Sequence, residues 1–290
     1  MVQFLAQTFV NGINVGALYG LAAVGLSLIF GVMRILNVAH GEFLMVGGYI
    51  GFWLFKLYGV DPFMGLPLVG IFLFLIGIVF YKVVFSRVAK FHEEVKLKNS
   101  LLIAFGLYLI FPQIAMVLWT ADERAISPKY SGQAFDLLGV RFGYVPLWNV
   151  CVAIVIVLAM YLFLNKTYFG KSLRGTAESW KAAKLSGINI EWTFMITFGL
   201  GISLAGIAGV LIALTQELTP VMGMSWTLKA LIVVVLAGMG SIVGAFVAGL
   251  ILGIVEAVSA IFMGPYTIAI GLLIFLIILV LRPRGLFGRA

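Results

Sequence analysis

Stretches of about 20 residues with almost no charge recur along the whole chain, and this decides what the chain can fold into. Sixty-three per cent of the 290 residues are hydrophobic and 10% are charged, against roughly 25% charged in an ordinary soluble domain. A water-soluble fold has nowhere to bury that much apolar surface. A membrane barrel would show alternating segments of about 10 residues, whereas these runs are continuous. The expected fold is an all-α polytopic membrane protein, one membrane domain over residues 1–290 with no soluble domain attached.

Apolar runs place candidate spans at 8–32, 43–55, 63–81, 101–119, 145–164, 192–214, 226–237, 242–262 and 266–281. That predicts eight or nine transmembrane or partly spanning helices. The runs 43–55 and 226–237 are too short to cross a core of about 30 Å on their own at 1.5 Å per residue, so each needs extra turns or a partner segment. Lone Cys151 offers neither an internal disulfide nor a paired-cysteine metal site and reads as a packing residue. No basic segment precedes the first apolar run, so a cleavable signal is not expected and the spans themselves carry insertion.

The net charge of +8 does not point to nucleic acid, because the basic residues are confined to a few loops. Lys82, Arg87, Lys90, Lys96 and Lys98 follow the third span, Lys166, Lys171, Arg174, Lys181 and Lys184 follow the fifth, and Arg282, Arg284 and Arg289 close the chain. These segments belong on the cytoplasmic side. In 120–144, acids offset the bases, which places that segment outside together with 216–224. The N-terminus is then outside if every run crosses, and inside if one short run is re-entrant.

Function is expected at the polar sextet Asn37-Val-Ala-His-Gly-Glu42, which sits between two charge-free runs. Charges in hydrocarbon cost on the order of 2.5 to 3.5 kcal/mol each even on the lenient insertion scale. Asn37 is expected to cap a helix beginning near residue 38, with His40 in its first turn and Glu42 close behind. A helix start of this kind presents unpaired amides to an anionic solute group; the alternative is that these residues only cap a helix and pin a tight turn at Gly41. The second half repeats the arrangement: a Gly-rich span at 198–214, a polar break at 215–225 and a short run at 226–237. Interrupted segments at matching positions in two halves are the pattern of transporters built from structural repeats. Ser225 and Lys229, at the start of the second short run, are therefore candidates beside Asn37, His40, Gly41 and Glu42.

Glu256 lies among apolar residues in 242–262, and Lys229 falls at a similar depth. The two either pair or face water separately. Gly240 and Gly244, Gly249 and Gly253, and Gly47 and Gly51 are each four apart, a spacing that lets backbones approach closely in lipid. In the cytoplasmic loop 165–191, Ala177, Ala182, Ala183 and Leu185 are expected to share one surface of a short helix. Glu178 stands near its start, Lys181 and Lys184 near its end, and Gly187 as its stop. Such a helix suits docking into a groove on another protein, or lying on the headgroups with Trp180 at the interface.

Four segments together carry a resemblance to a known family: Asn37-Val-Ala-His-Gly-Glu42, the 178–187 loop, the stretch 228–244 with its Ala-Gly-Met-Gly-Ser, and the ending Arg282-Pro-Arg-Gly-Leu-Phe287. Over essentially its whole length the chain resembles the LivH-type permease subunits of branched-chain amino-acid ABC importers. The resemblance implies a second permease subunit, identical or homologous, two cytoplasmic ATPase subunits that bind the ATP, and an extracytoplasmic solute-binding protein. It places the chain in the cytoplasmic (inner) membrane of a bacterium or archaeon. It also makes the 178–188 segment the ATPase contact, through Glu178, Ala182, Ala183, Leu185, Gly187 and Ile188. Here Ser179 and Trp180 stand where the wider class has Ala-Ala after the Glu. Relatives of this permease also serve urea and short amides.

No Gly-x-x-x-x-Gly-Lys-Ser/Thr loop is present, so ATP hydrolysis would fall to partners. His40 and His92 lie in separate loops and supply neither a metal site nor a base for a nucleophile. No catalytic residue, metal or cofactor is expected. The rival class is an ion-coupled secondary transporter using Glu42, His40 or Glu256.

Overall fold

The computed structural model describes residues 1–264, 267–282 and 285–287. The all-α membrane architecture expected from the apolar runs is present: six helices are long and apolar enough to cross a membrane. In chain order the helices are α1 Val2–Met33, α2 His40–Tyr58, α3 Pro62–Phe80 (prolonged by a wider turn over Tyr81–Phe85), α4 Glu93–Trp119, α5 Tyr144–Lys166, α6 Tyr168–Glu178, α7 Trp180–Leu185, α8 Ile190–Ala213, α9 Met222–Ala237, α10 Ile242–Met263 and α11 Thr267–Leu281. All nine expected spans are helices. The first residue of the last one, Tyr266, lies outside the described residues, as do Pro283 and Arg284 of the closing motif and Arg289.

Both short runs gain extra turns, to different extents. The first short run extends at both ends into the 19-residue α2, because His40, Gly41 and Glu42 join the helix and the chain continues to Tyr58. At 1.5 Å per residue this is about 28 Å, nearly a full crossing. α9 reaches 16 residues, about 24 Å, and remains short.

α1 packs on α10, α8 packs on α3 and α2, and α2 and α9 cross between them. Glycine makes these approaches close. Gly16 and Gly20 of α1 lie against Gly253 and Gly249 of α10 so tightly that a Cβ on Gly249 or Gly253 would come within 2.4 Å of the α1 backbone. Gly47 meets Gly206, and a Cβ on Gly209 would fall 1.9 Å from the Leu44 carbonyl oxygen. In lipid there is no hydrophobic drive between helices, so close backbone packing of this kind replaces it. The Gly47 and Gly249/Gly253 spacings are therefore packing seams, joined by an unexpected one at Gly12, Gly16 and Gly20.

Outside the helices, β1 Ala134–Leu137 and β2 Val140–Gly143 form an antiparallel hairpin. Leu138 and Gly139, both with positive φ, make the two-residue turn that matches strand twist. Gln7 of α1 exchanges hydrogen bonds with the Arg141 backbone, and Arg124 and Leu218 bond to each other in both directions. The N-terminus, the 120–144 segment and the 214–221 loop thus share one side. On the expected orientation, with the basic segments inside, that side is the outer one. The tail returns to the inner end of α9: the Leu286 and Phe287 amides donate to the Leu236 and Ala237 carbonyls, which the helix end leaves open.

Candidate functional site

The polar sextet is lodged inside the bundle. Arg34, in a left-handed conformation, ends α1 and turns the chain back upward. His40 Nε2 lies 3.0 Å from the Ala22 carbonyl oxygen, and the ring lies against Gly25. Ala22 and Gly25 are 11 and 8 residues before the inner end of α1, so α2 begins about 12 to 16 Å above that end.

α9 begins beside it and runs the opposite way. The Gly41 amide donates to Thr227 Oγ1 at 2.8 Å, and a Cβ on Gly41 would fall 1.9 Å from the Gly223 carbonyl oxygen. The Glu42 carboxylate rests on Gly223, whose own Cβ would sit 2.2 Å from Oε1. Two helix starts therefore overlap in the interior, one leading outward and one inward.

Asn37 does not cap α2. The residue before the helix is Ala39 and no side chain caps it. The first-turn amides are met elsewhere: His40 by the Asn37 carbonyl, Glu42 by the Ala39 carbonyl, and Gly41 by Thr227. Asn37 is fully buried, and neither of its amide atoms has a protein partner. The same holds for both carboxylate oxygens of the buried Glu42 and for His40 Nδ1. Above them on α2, Tyr49 Oη and Trp53 Nε1 are likewise buried and unpartnered.

Lys229 and Glu256 pair, Nζ to Oε2 at 2.9 Å. Tyr19 of α1 completes the cluster, donating its hydroxyl to the same carboxylate oxygen at 2.8 Å and accepting from Lys229. The ammonium also lies 4.3 Å from the centre of the Tyr19 ring, a cation–π contact. Ser225 is the fourth residue of α9 instead of its first; it is exposed, with its hydroxyl bonded to the Met222 carbonyl. Ser225, Leu228 and Lys229 share one face of α9 by their spacing, and Leu228 is 49% exposed. The structure thus brings Gly41 and Glu42 together with Gly223 and Thr227, and brings Lys229 together with Glu256 and Tyr19. Sequence reasoning missed Thr227, Gly223 and Tyr19. Thr227 had a signal, since with Lys229 it is the polar content of an otherwise apolar run.

On the inner side, the expected single helix over 176–187 is two. Ser179 is extended, ending α6 and capping α7 through its hydroxyl on the Ala182 amide. Glu178 therefore ends one helix and does not begin another. Nor do the four apolar residues share a surface: Ala183 is buried, Ala182 is exposed and Leu185 is 91% exposed. The stop is as expected. Gly187, at φ +84°, donates to Lys184, and Ile188 donates to Ala183, the double bond of a Schellman end. A cavity of about 220 Å³ lies under this corner, lined by Arg34, Lys96, Phe194 and residues of 176–181.

A family model described as "Branched-chain amino acid transport system / permease component" matches residues 8–281. The chain is 31% identical to the high-affinity branched-chain amino acid transport system permease protein BraD of Pseudomonas aeruginosa, over 98% of this chain and 95% of that one. It is 29% identical to LivH of Salmonella typhimurium, described in the same terms, over 99% and 96%. It is 26% identical to a probable branched-chain amino acid transport permease protein LivH of Methanocaldococcus jannaschii, over 92% and 88%.

Proposed function

The chain belongs to the family of branched-chain amino acid transport system permease components, and on that premise we propose that it is a membrane subunit of an ABC importer for aliphatic amino acids. It pairs with a second permease, identical or homologous, receives solute from an extracytoplasmic binding protein, and is driven by two cytoplasmic ATPases. In this reading it works by alternating access in the cytoplasmic membrane and is not itself an enzyme.

The observation that carries the reading is the placement of the α6–α7 corner. It packs against the inner parts of α1, α5 and α8, and α1 and α8 are the helices that flank the buried start of α2. A push on an exposed corner fixed to those helices reaches the junction through rigid elements. Leu185, almost fully exposed beside Lys181 and Lys184, is the natural anchor for a groove on an ATPase. The pathway elements are Asn37, His40, Gly41 and Glu42 at one helix start and Ser225 and Lys229 at the other, with Glu256 behind them.

The test is reconstitution with the candidate ATPases and binding protein in liposomes. Uptake of leucine, isoleucine or valine is expected to require ATP. Leu185→Asp is expected to lower ATPase retention by about tenfold or more, as loss of a central anchor does. Single cysteines at positions 182 and 185, in a chain carrying Cys151→Ala, are expected to crosslink to the ATPase. Uptake by this chain alone under an ion gradient would instead identify a secondary transporter.

A further inference from the structure

We propose that the Lys229–Glu256 pair, bridged by Tyr19, is the element that reads the amino-acid zwitterion, so that the passage opens for a solute carrying both charges and stays closed to neutral ones. The inference rests on the permease reading above and names the residues that set its substrate class.

Three observations combine. The pair joins two helices, α9 and α10, with the Tyr19 hydroxyl of α1 bridging both partners. Lys229 and Glu256 are the sole charged residues in the sequences of α9 and α10, and they meet each other. The pair is also not sealed: the Lys229 side chain is 23% exposed and that of Glu256 13%. A tie that served only to hold α9 on α10 would gain from closure, because solvent access weakens an ion pair. This one opens onto the uncovered face of α9, beside the Ser225 hydroxyl and the half-exposed Leu228.

Separating Lys229 from Glu256 inside the membrane leaves two uncompensated charges, a costly event unless something replaces each partner. Urea, a sugar or a short amide offers dipoles alone. An α-amino acid offers a carboxylate for Lys229 and, across a single Cα, an ammonium for Glu256. One ion pair then becomes two, and the opened state is compensated. The Tyr19 hydroxyl, able to donate to a carboxylate and to accept from an ammonium, stays bonded in either arrangement. The Leu228 side chain offers an aliphatic surface next to the charges, which suits an apolar side chain. No covalent step is involved.

The experiment uses the assembled importer in proteoliposomes and compares wild type with the double variant Lys229→Met/Glu256→Gln. Replacing both partners of a buried pair by uncharged groups of similar size is often neutral for folding, so the yield and thermal transition of the complex are expected to hold. ATP-driven leucine uptake is expected to fall by about thirtyfold or more, the scale of losing a charge-assisted contact. Uptake within about twofold of wild type, in a complex of normal stability, would overturn the proposal. If the double variant does not assemble, the reversed pair Lys229→Glu/Glu256→Lys is read in its place. It restores a bridge with the opposite polarity, so assembly with lost uptake supports a reader of the zwitterion, and restored uptake assigns the pair to structure alone. Wild-type uptake that needs no ATP would retire the ABC reading by itself, and the same variant comparison would still judge the pair.

Discussion

Two polar places lie among the apolar helices, and they are built on opposite terms. At the junction of α2 and α9, Asn37, His40 and Glu42 are sealed to 1% exposure or less, and most of their polar atoms meet no protein partner. At Tyr19, Lys229 and Glu256 the two charges meet each other and the hydroxyl, while part of the cluster stays open. Stability alone would arrange them the other way, since an unpaired polar group costs about 1 to 3 kcal/mol when buried. What offsets the junction is fit: backbone meets backbone at Gly41 and Gly223 and at Leu44 and Gly209. The junction is held by shape and the cluster by charge.

The largest expected effect tests the first half of that contrast. Gly41→Ala would drive a Cβ to 1.9 Å from a backbone carbonyl oxygen and 2.6 Å from Thr227 Oγ1, and neither helix can yield without breaking other glycine contacts. A cost of about 3 kcal/mol or more is expected, seen as loss of folded protein in the membrane. Gly271→Ala, on the helix behind the cluster, meets Glu256 Oε1 at 3.3 Å and Leu252 at 3.5 Å. It is expected to cost under about 1 kcal/mol. A well-folded Gly41→Ala protein beside an unfolded Gly271→Ala one would reverse the comparison.

The next effect separates function from fold. Asn37→Leu removes an amide without partners, so stability should hold or rise by about 1 kcal/mol, while transport falls. Lys229→Met leaves a carboxylate with the Tyr19 hydroxyl alone and should cost about 3 kcal/mol in the folded protein. Thermal unfolding and uptake, measured on the same samples, decide both. Equal loss of insertion and transport in Asn37→Leu would make that residue structural.

Much of this was legible in the chain. Apolar runs located all the spans because hydrocarbon tolerates little else, and the polar sextet announced itself by contrast with its flanks. The expected grouping of 120–144 with the loop after α8 on one side also holds, through the Arg124–Leu218 bridge. What the sequence did not carry was the choice of partners. Asn37 is a good capping residue by type, but its place next to α2 is governed by how α1 returns the chain, and Thr227, 186 residues away, serves the helix start instead. Ser179 was legible as a cap in principle; the alanines and leucine around it looked like one amphipathic face and hid the break. Gly12, Gly16 and Gly20 stood at the right spacing but within an apolar run, where their role depends on meeting Gly249 and Gly253 in α10. The Lys229–Glu256 pair was one of two arrangements open to the sequence, and only the crossing of α9 and α10 selects it.

The smallest expected effect asks whether charge or the hydroxyl organises the cluster. Tyr19→Phe keeps the ring under the Lys229 ammonium and leaves the ion pair with Glu256 intact, removing the bridging hydroxyl alone. One hydrogen bond to a charged group is worth about 1.5 kcal/mol, and part of that returns if the pair closes on itself. A destabilisation near or below that figure is expected, well short of the cost of Lys229→Met, because the Coulomb attraction across 2.9 Å persists. Should Tyr19→Phe unfold the protein more than Lys229→Met does, the hydroxyl would be the hub and the two charges its dependants. The contrast between a place held by fit and a place held by charge would then fail at the second place.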